Sequence, residues 1–162
     1  MYSKLILERW ARRLMVLGAL LGWSASAAAA SAILPFGADT WSELQRSSAR
    51  PMAVVFSTTD CTHCPGVIDG LAAVIKKSRS GVRLVVVVMD GAGQEDALRQ
   101  DRHYRNAHVL YAFDGDALAL RFKVNPDWRG LTPYVALLPA SGAAQFHTGA
   151  PPPDALRSFL LR

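Results

Sequence analysis

Two residues separate the chain's only cysteines, Cys61 and Cys64, and both stand where an apolar run gives way to a helical pattern. Met52 to Phe56 is continuous and apolar, as a strand buried on both faces requires. After the cysteines, Val67, Ile68, Leu71, Val74 and Ile75 recur at helical spacing. A Cys-x-x-Cys at a strand-to-helix junction brings two sulfurs within bonding reach. Its first sulfur is placed at the expected helix N-terminus, where free N–H groups and the helix dipole favour a thiolate. The thiolate is the nucleophile of dithiol–disulfide exchange.

A structural role for the pair explains less. A disulfide stabilises chiefly by closing a long loop, and this one closes almost none. Zinc calls for about four ligands, for which only His103 and His108 are on hand. Haem attachment needs a histidine where Pro65 stands. Copper(I), a soft ion suited to thiolates, is the rival reading, with His63, His103 or His147 as supplementary ligands. His103 and His108 otherwise read as surface residues at a helix end.

The amino-terminal residues have the layout of an export signal. Lys4, Arg9, Arg12 and Arg13 form a basic region, Leu14 to Trp23 an apolar one, and Ala28-Ala29-Ala30 fits a small-residue cleavage site. The apolar stretch is half the ~20 residues of a membrane span, and yet no charge occurs from Leu14 through Ala38. Cleavage and an inner-membrane tether through residues 14–30 are both compatible with this pattern. Residues 31–162 are expected to form one domain. Setting the leader aside leaves 14 basic against 12 acidic residues, and no basic stripe with interleaved aromatics marks a nucleic-acid partner.

Along the rest of the chain, Asp39 or Thr40 is expected to cap a short helix. Val82–Met89 reads as a central strand, and Gln94 to about Tyr104 as a polar helix. A strand at Val109–Phe113, a helix at Ala117–Lys123, a hairpin of Tyr134–Leu138 with Ala143–His147 and a last helix at Asp154–Leu161 follow. Strand-helix-strand order implies a parallel crossover. Trp41, Trp128, Phe113, Phe122 and Phe146 read as core or core-edge aromatics, with Trp128 also placed to line a groove. Arg121, Lys123 and Arg129 read as solvated charge.

These pieces together resemble the thioredoxin fold, an α/β architecture with a central mixed sheet flanked by helices. The matching parts are Val54-Val55-Phe56 ahead of Cys61, the Cys-x-x-Cys helix, the strand at 82–89, and Thr132-Pro133 opening the next strand. The added strand and helix at 109–123 resemble the periplasmic TlpA-type thiol-disulfide oxidoreductases, which include the cytochrome c maturation thioredoxins. The resemblance implies that Cys61 is the attacking nucleophile and Cys64 the resolving thiol. It also implies a cis Pro133 against the disulfide, with the backbone of Thr132 binding substrate. Its further implication is protein thiols and disulfides as partners. The expected export compartment calls for a membrane redox partner for regeneration, and no metal or organic cofactor is expected, since the electrons reside on the two sulfurs.

Two positions depart from that pattern. Asp60 occupies the place of a tryptophan, and Val55 that of a buried carboxylate, leaving Glu95 or Asp90 as candidates to deprotonate Cys64. The Thr62-His63 pair resembles the Pro-His of Dsb-type oxidases, and His63 favours a thiolate at Cys61. A thiol pKa lowered from ~8.5 to ~5.5 would stabilise the reduced form by about 2 kcal/mol at pH 7, or ~45 mV. Asp60 opposes that shift. The layout therefore points to a reductant and the dipeptide to a mild oxidant.

Overall fold

A computed structural model describes residues 32–161. The leader expectation falls on residues 1–30, outside the described residues. Among those described, no helix is long and apolar enough to cross a membrane.

The sheet has six strands: β1 (Ile33–Phe36), β2 (Met52–Ser57), β3 (Arg83–Val88), β4 (Val109–Phe113), β5 (Tyr134–Leu138) and β6 (Gln145–Thr148). Their order is β1-β4-β3-β2-β5-β6. The first four are parallel to one another, whereas β5 runs antiparallel to β2 and β6 antiparallel to β5. Among the described residues the five helices are α1 (Thr40–Arg46), α2 (Cys64–Ser78), α3 (Glu95–Gln100), α4 (Ala117–Val124) and α5 (Pro153–Leu160), with a 3-10 turn at Tyr104–Asn106. This is a thioredoxin-like fold with the cysteine pair where β2 passes into α2.

Alternation along the central strands divides the apolar core between the two faces of the sheet. Val54 and Phe56 of β2, Val85 and Val87 of β3 and Ala136 and Leu138 of β5 pack with Trp41 of α1, Leu120 and Val124 of α4, and Trp128. The intervening residues, Ala53, Val55, Val86, Val135 and Leu137, pack on the other face with Ile68, Leu71 and Ile75 of α2, Tyr104, and Phe159 of α5. With apolar layers on both sides, β2, β3 and β5 read as unbroken hydrophobic runs.

Several boundaries differ from the sequence reading. Strand β1 carried no signal, being four residues long with Pro35 inside it. It lies at the edge of the sheet, where a missing N–H is tolerated. Helix α3 ends at Gln100 rather than near Tyr104, because the Asp101 carboxylate accepts the His103 N–H at 2.7 Å and turns the chain. Asp39 precedes α1 without capping it, while Thr40 Oγ1 accepts the Gly37 N–H at 3.0 Å. Phe122 is not a core aromatic: its ring is exposed on α4.

Candidate functional site

The backbone of β2 delivers the cysteines. Ser57, the last residue of the strand, is fully buried on the face that packs against α2. Its hydroxyl donates to the Thr58 carbonyl at 3.2 Å, and the same carbonyl accepts the Cys61 N–H at 3.3 Å. Cys61 is therefore held by a turn, Thr58 to Asp60, that hangs directly from the strand end. The Cys64 N–H in turn donates to the Cys61 carbonyl at 3.3 Å.

The cysteine pair lies at the start of α2. Cys64 is the first residue of the helix and His63 the residue before it, so Cys61 stands just ahead of it. Pro65 occupies the opening turn, where its missing N–H interrupts no helical bond. The two sulfurs are bonded at 2.07 Å, with a Cα–Cα distance of 5.5 Å. Their surroundings are unequal: Cys64 is 0% exposed, whereas Cys61 is partly open to solvent. Thr62 and His63 are exposed, and the His63 side chain makes no capping bond to the helix.

Two further segments converge on the turn. The Thr132 hydroxyl lies 3.4 Å from that of Thr58, which sets the 132–133 segment beside the turn carrying Cys61. Pairing between β2 and β5 ends at Phe56 with Tyr134, so Thr132 and Pro133 lie beyond that ladder. The Thr132–Pro133 peptide bond is cis, and Pro133 is buried. From the other side Asp90, in the loop after β3, accepts the Thr59 N–H at 2.9 Å and the Thr59 hydroxyl at 2.5 Å.

Trp128 is core. It is 6% exposed, stacks on Tyr134 at 4.5 Å with a 6° interplanar angle, and lies 4.9 Å from the Phe56 ring. Its indole N–H donates to the Leu131 carbonyl at 2.9 Å, pinning the loop that leads into Thr132. The Tyr134 phenol accepts from Asn125 at 2.7 Å, and burial raises its pKa.

Neither carboxylate considered for Cys64 is free of other work. Asp90 is engaged with Thr59, and Glu95 accepts the Gly93 N–H at 3.0 Å, with backbone hydrogen bonds holding its pKa below the usual value. Val55 is fully buried among apolar side chains of α2 and α5. The one buried polar side chain near the strand end is Ser57, whose hydroxyl lies 3.4 Å from the Tyr104 phenol. Tyr104 has its pKa raised, mainly by burial.

The histidines weighed as metal ligands are spread apart. His103 Nδ1 lies 2.7 Å from Asp69 on α2, and His108 Nδ1 accepts the Leu84 N–H at 3.0 Å at the start of β3. His147 lies on β6. Among the described residues no group of three histidine, cysteine or acidic side chains comes together.

Sequence reasoning overlooked Thr58, Thr59, Ser57 and Tyr104. A Ser-Thr-Thr-Asp run after a strand signals only a turn; what it holds depends on Asp90, Tyr104 and Thr132, all at least 31 residues away.

No protein-family model matches the chain, and no curated protein matches it. Solved structures do match in fold. A Chlorobium tepidum protein provisionally named thiol:disulfide interchange protein DsbE superposes with a TM-score of 0.50 at 21% identity, over 73% of this chain and 82% of that one. An uncharacterised thioredoxin-like protein from Porphyromonas gingivalis gives 0.53 at 19% identity, over 71% and 78%. A secreted Mycobacterium tuberculosis disulfide oxidoreductase gives 0.47 at 19%, over 70% and 81%. The likeness to the first two agrees with the thioredoxin-like fold read from the sheet and the cysteine junction.

Proposed function

We propose that the protein exchanges a dithiol for a disulfide with other proteins through Cys61 and Cys64, acting as a reductant of the cytochrome c maturation type. The observation that carries this is the asymmetry of the pair. Cys61 is partly exposed to solvent, while Cys64 is fully buried at the start of α2. A structural disulfide has no need of that arrangement, whereas two-step exchange does.

In the reductive direction the Cys61 thiolate attacks one sulfur of a substrate disulfide. A bond forms between Cys61 Sγ and that sulfur, and the second substrate sulfur leaves as a thiolate that takes a proton from water. Cys64 gives up its proton and attacks Cys61 Sγ. The intermolecular bond breaks, the first substrate sulfur departs reduced, and the Cys61–Cys64 disulfide remains. Two electrons have passed to the substrate. They are restored by a dithiol partner, assigned here to the membrane because the leader directs the chain to the periplasm, as soluble domain or tethered by residues 14–30.

His63, exposed beside the sulfurs, is assigned to favour the Cys61 thiolate by its positive charge when protonated. Thr132 and Pro133 are assigned to bind the substrate chain, since they lie beside the Cys61 turn and outside the β2–β5 ladder. Trp128 serves that edge from below, holding Leu131 through its indole N–H. The name carried by the Chlorobium tepidum protein of similar fold accords with this reading.

Equilibration with glutathione buffers tests it. A potential near about −270 mV is expected for a reductant of this kind, whereas a value near about −120 mV would make the protein an oxidant.

A further inference from the structure

Three large apolar side chains are exposed around the loop that leads to Thr132. Leu118 and Phe122, 66% and 63% exposed, stand four residues apart on α4, and Leu131, 63% exposed, directly precedes Thr132. Their exposure is built in. Leu120 and Val124 hold the opposite face of α4 in the core with Trp128, so Leu118 and Phe122 must point away. The Arg121 guanidinium packs against Gly130, where φ is +84° and a Cβ would collide with it. That contact fastens α4 to the loop bearing Leu131, and the Trp128 indole holds the Leu131 carbonyl.

From this we infer that Leu118, Phe122 and Leu131 form a docking face for an extended substrate segment carrying bulky apolar residues beside its cysteine. The inference rests on the exchange reading above and names the substrate class for that site. Continuity supports it: a chain lying along Thr132 meets Leu131 one residue further on, and α4 beyond. Area supports it too. The three side chains present on the order of 400 Å² of apolar surface, the size of a functional patch but about half of the ~800 Å² that each partner of a stable dimer covers. A short peptide fits this area better than a second copy of the chain.

The test uses the reduced protein and three oxidants: glutathione disulfide and two disulfide-linked peptide dimers, one with leucine on both sides of its cysteine and one with serine. The wild type is expected to favour the leucine dimer by about tenfold in the second-order rate constant for its oxidation. The triple variant L118S/F122S/L131S is expected to lose most of that ratio, while L161S, which removes an exposed leucine at the C-terminal end of α5, retains it. A wild-type ratio near one, or a ratio that survives in the triple variant, would overturn the inference. So would sedimentation showing a dimer that dissociates in the triple variant. Failure to exchange with glutathione disulfide itself would instead overturn the exchange reading, and this inference with it.

Discussion

Asp90 grips Thr59 twice, accepting its backbone N–H at 2.9 Å and its hydroxyl at 2.5 Å across 31 residues of sequence. Thr59 lies two residues before Cys61, so the carboxylate ties the loop after β3 to the turn that presents Cys61. A hydrogen bond to a charged acceptor at an exposed site contributes about 1 kcal/mol net. Asp90→Ala and Thr59→Val are each expected to lower stability by about that amount, with a coupling energy of about 0.5–1.5 kcal/mol in the double mutant. Urea unfolding of the four proteins measures it. Additive losses would mean that the two side chains do not act on one another.

Val55 lies fully buried against Ile68, Leu71 and Phe159, at the position where the resembled reductases carry a carboxylate. Val55→Asp places an acid in an apolar layer, which raises its pKa by desolvation. A raised carboxyl pKa leaves stability intact below the unfolded value near ~3.9 and removes it as pH climbs through the folded value. The variant is therefore expected to lose about 3 kcal/mol or more at pH 7 and markedly less at pH 4. Urea midpoints relative to wild type at the two pH values give the comparison; an equal deficit at both would show that the site admits water.

Tyr104 offers a pH dependence of its own. Burial raises its phenol pKa above the ordinary value of 10. By the same linkage, its stabilising effect is full below the unfolded pKa and fades as pH rises through the folded one. Wild type is expected to weaken between pH 8 and pH 10.5, and Tyr104→Phe to weaken less over that interval, since it has no proton to lose. Tyr111 and Tyr134, also raised by burial, keep the variant from becoming wholly insensitive. A variant that loses as much as wild type would assign the alkaline loss elsewhere.

Unbroken apolar runs disclosed the parts of this fold that are buried on both sides. Met52–Ser57, Arg83–Val88 and Tyr134–Leu138 pack between two apolar layers, and such strands carry their signature in composition. Val109–Phe113 and the helix after it gave a weaker signal; in the structure Asp116 caps that helix by accepting the Ala119 N–H at 2.7 Å. Strand β1 was hidden because its stability comes from pairing with β4 rather than from its own residues. Phe122 misled for the opposite reason: an aromatic on a short helix reads as core, and only the burial of Leu120 and Val124 turns it outward.

At the site, the two cysteines stand out as a local motif with His63 inside it, whereas the Thr132-Pro133 pair was reached only through the resemblance in fold. The turn that holds Cys61 was not. Its contacts join Thr58 to Thr132, Thr59 to Asp90 and Ser57 to Tyr104, and each is a long-range pairing that no local spacing encodes.

The division of labour between the sulfurs is tested most directly by trapping. Cys64→Ser, reduced and then mixed with an excess of a disulfide-linked peptide dimer, is expected to gain the mass of one peptide half, attached at Cys61. Cys61→Ser under the same conditions is expected to gain almost none, because its remaining thiol is sealed at the base of α2. Intact-protein mass spectrometry reads both. An adduct on Cys61→Ser as large as that on Cys64→Ser, or none on Cys64→Ser, would contradict the account.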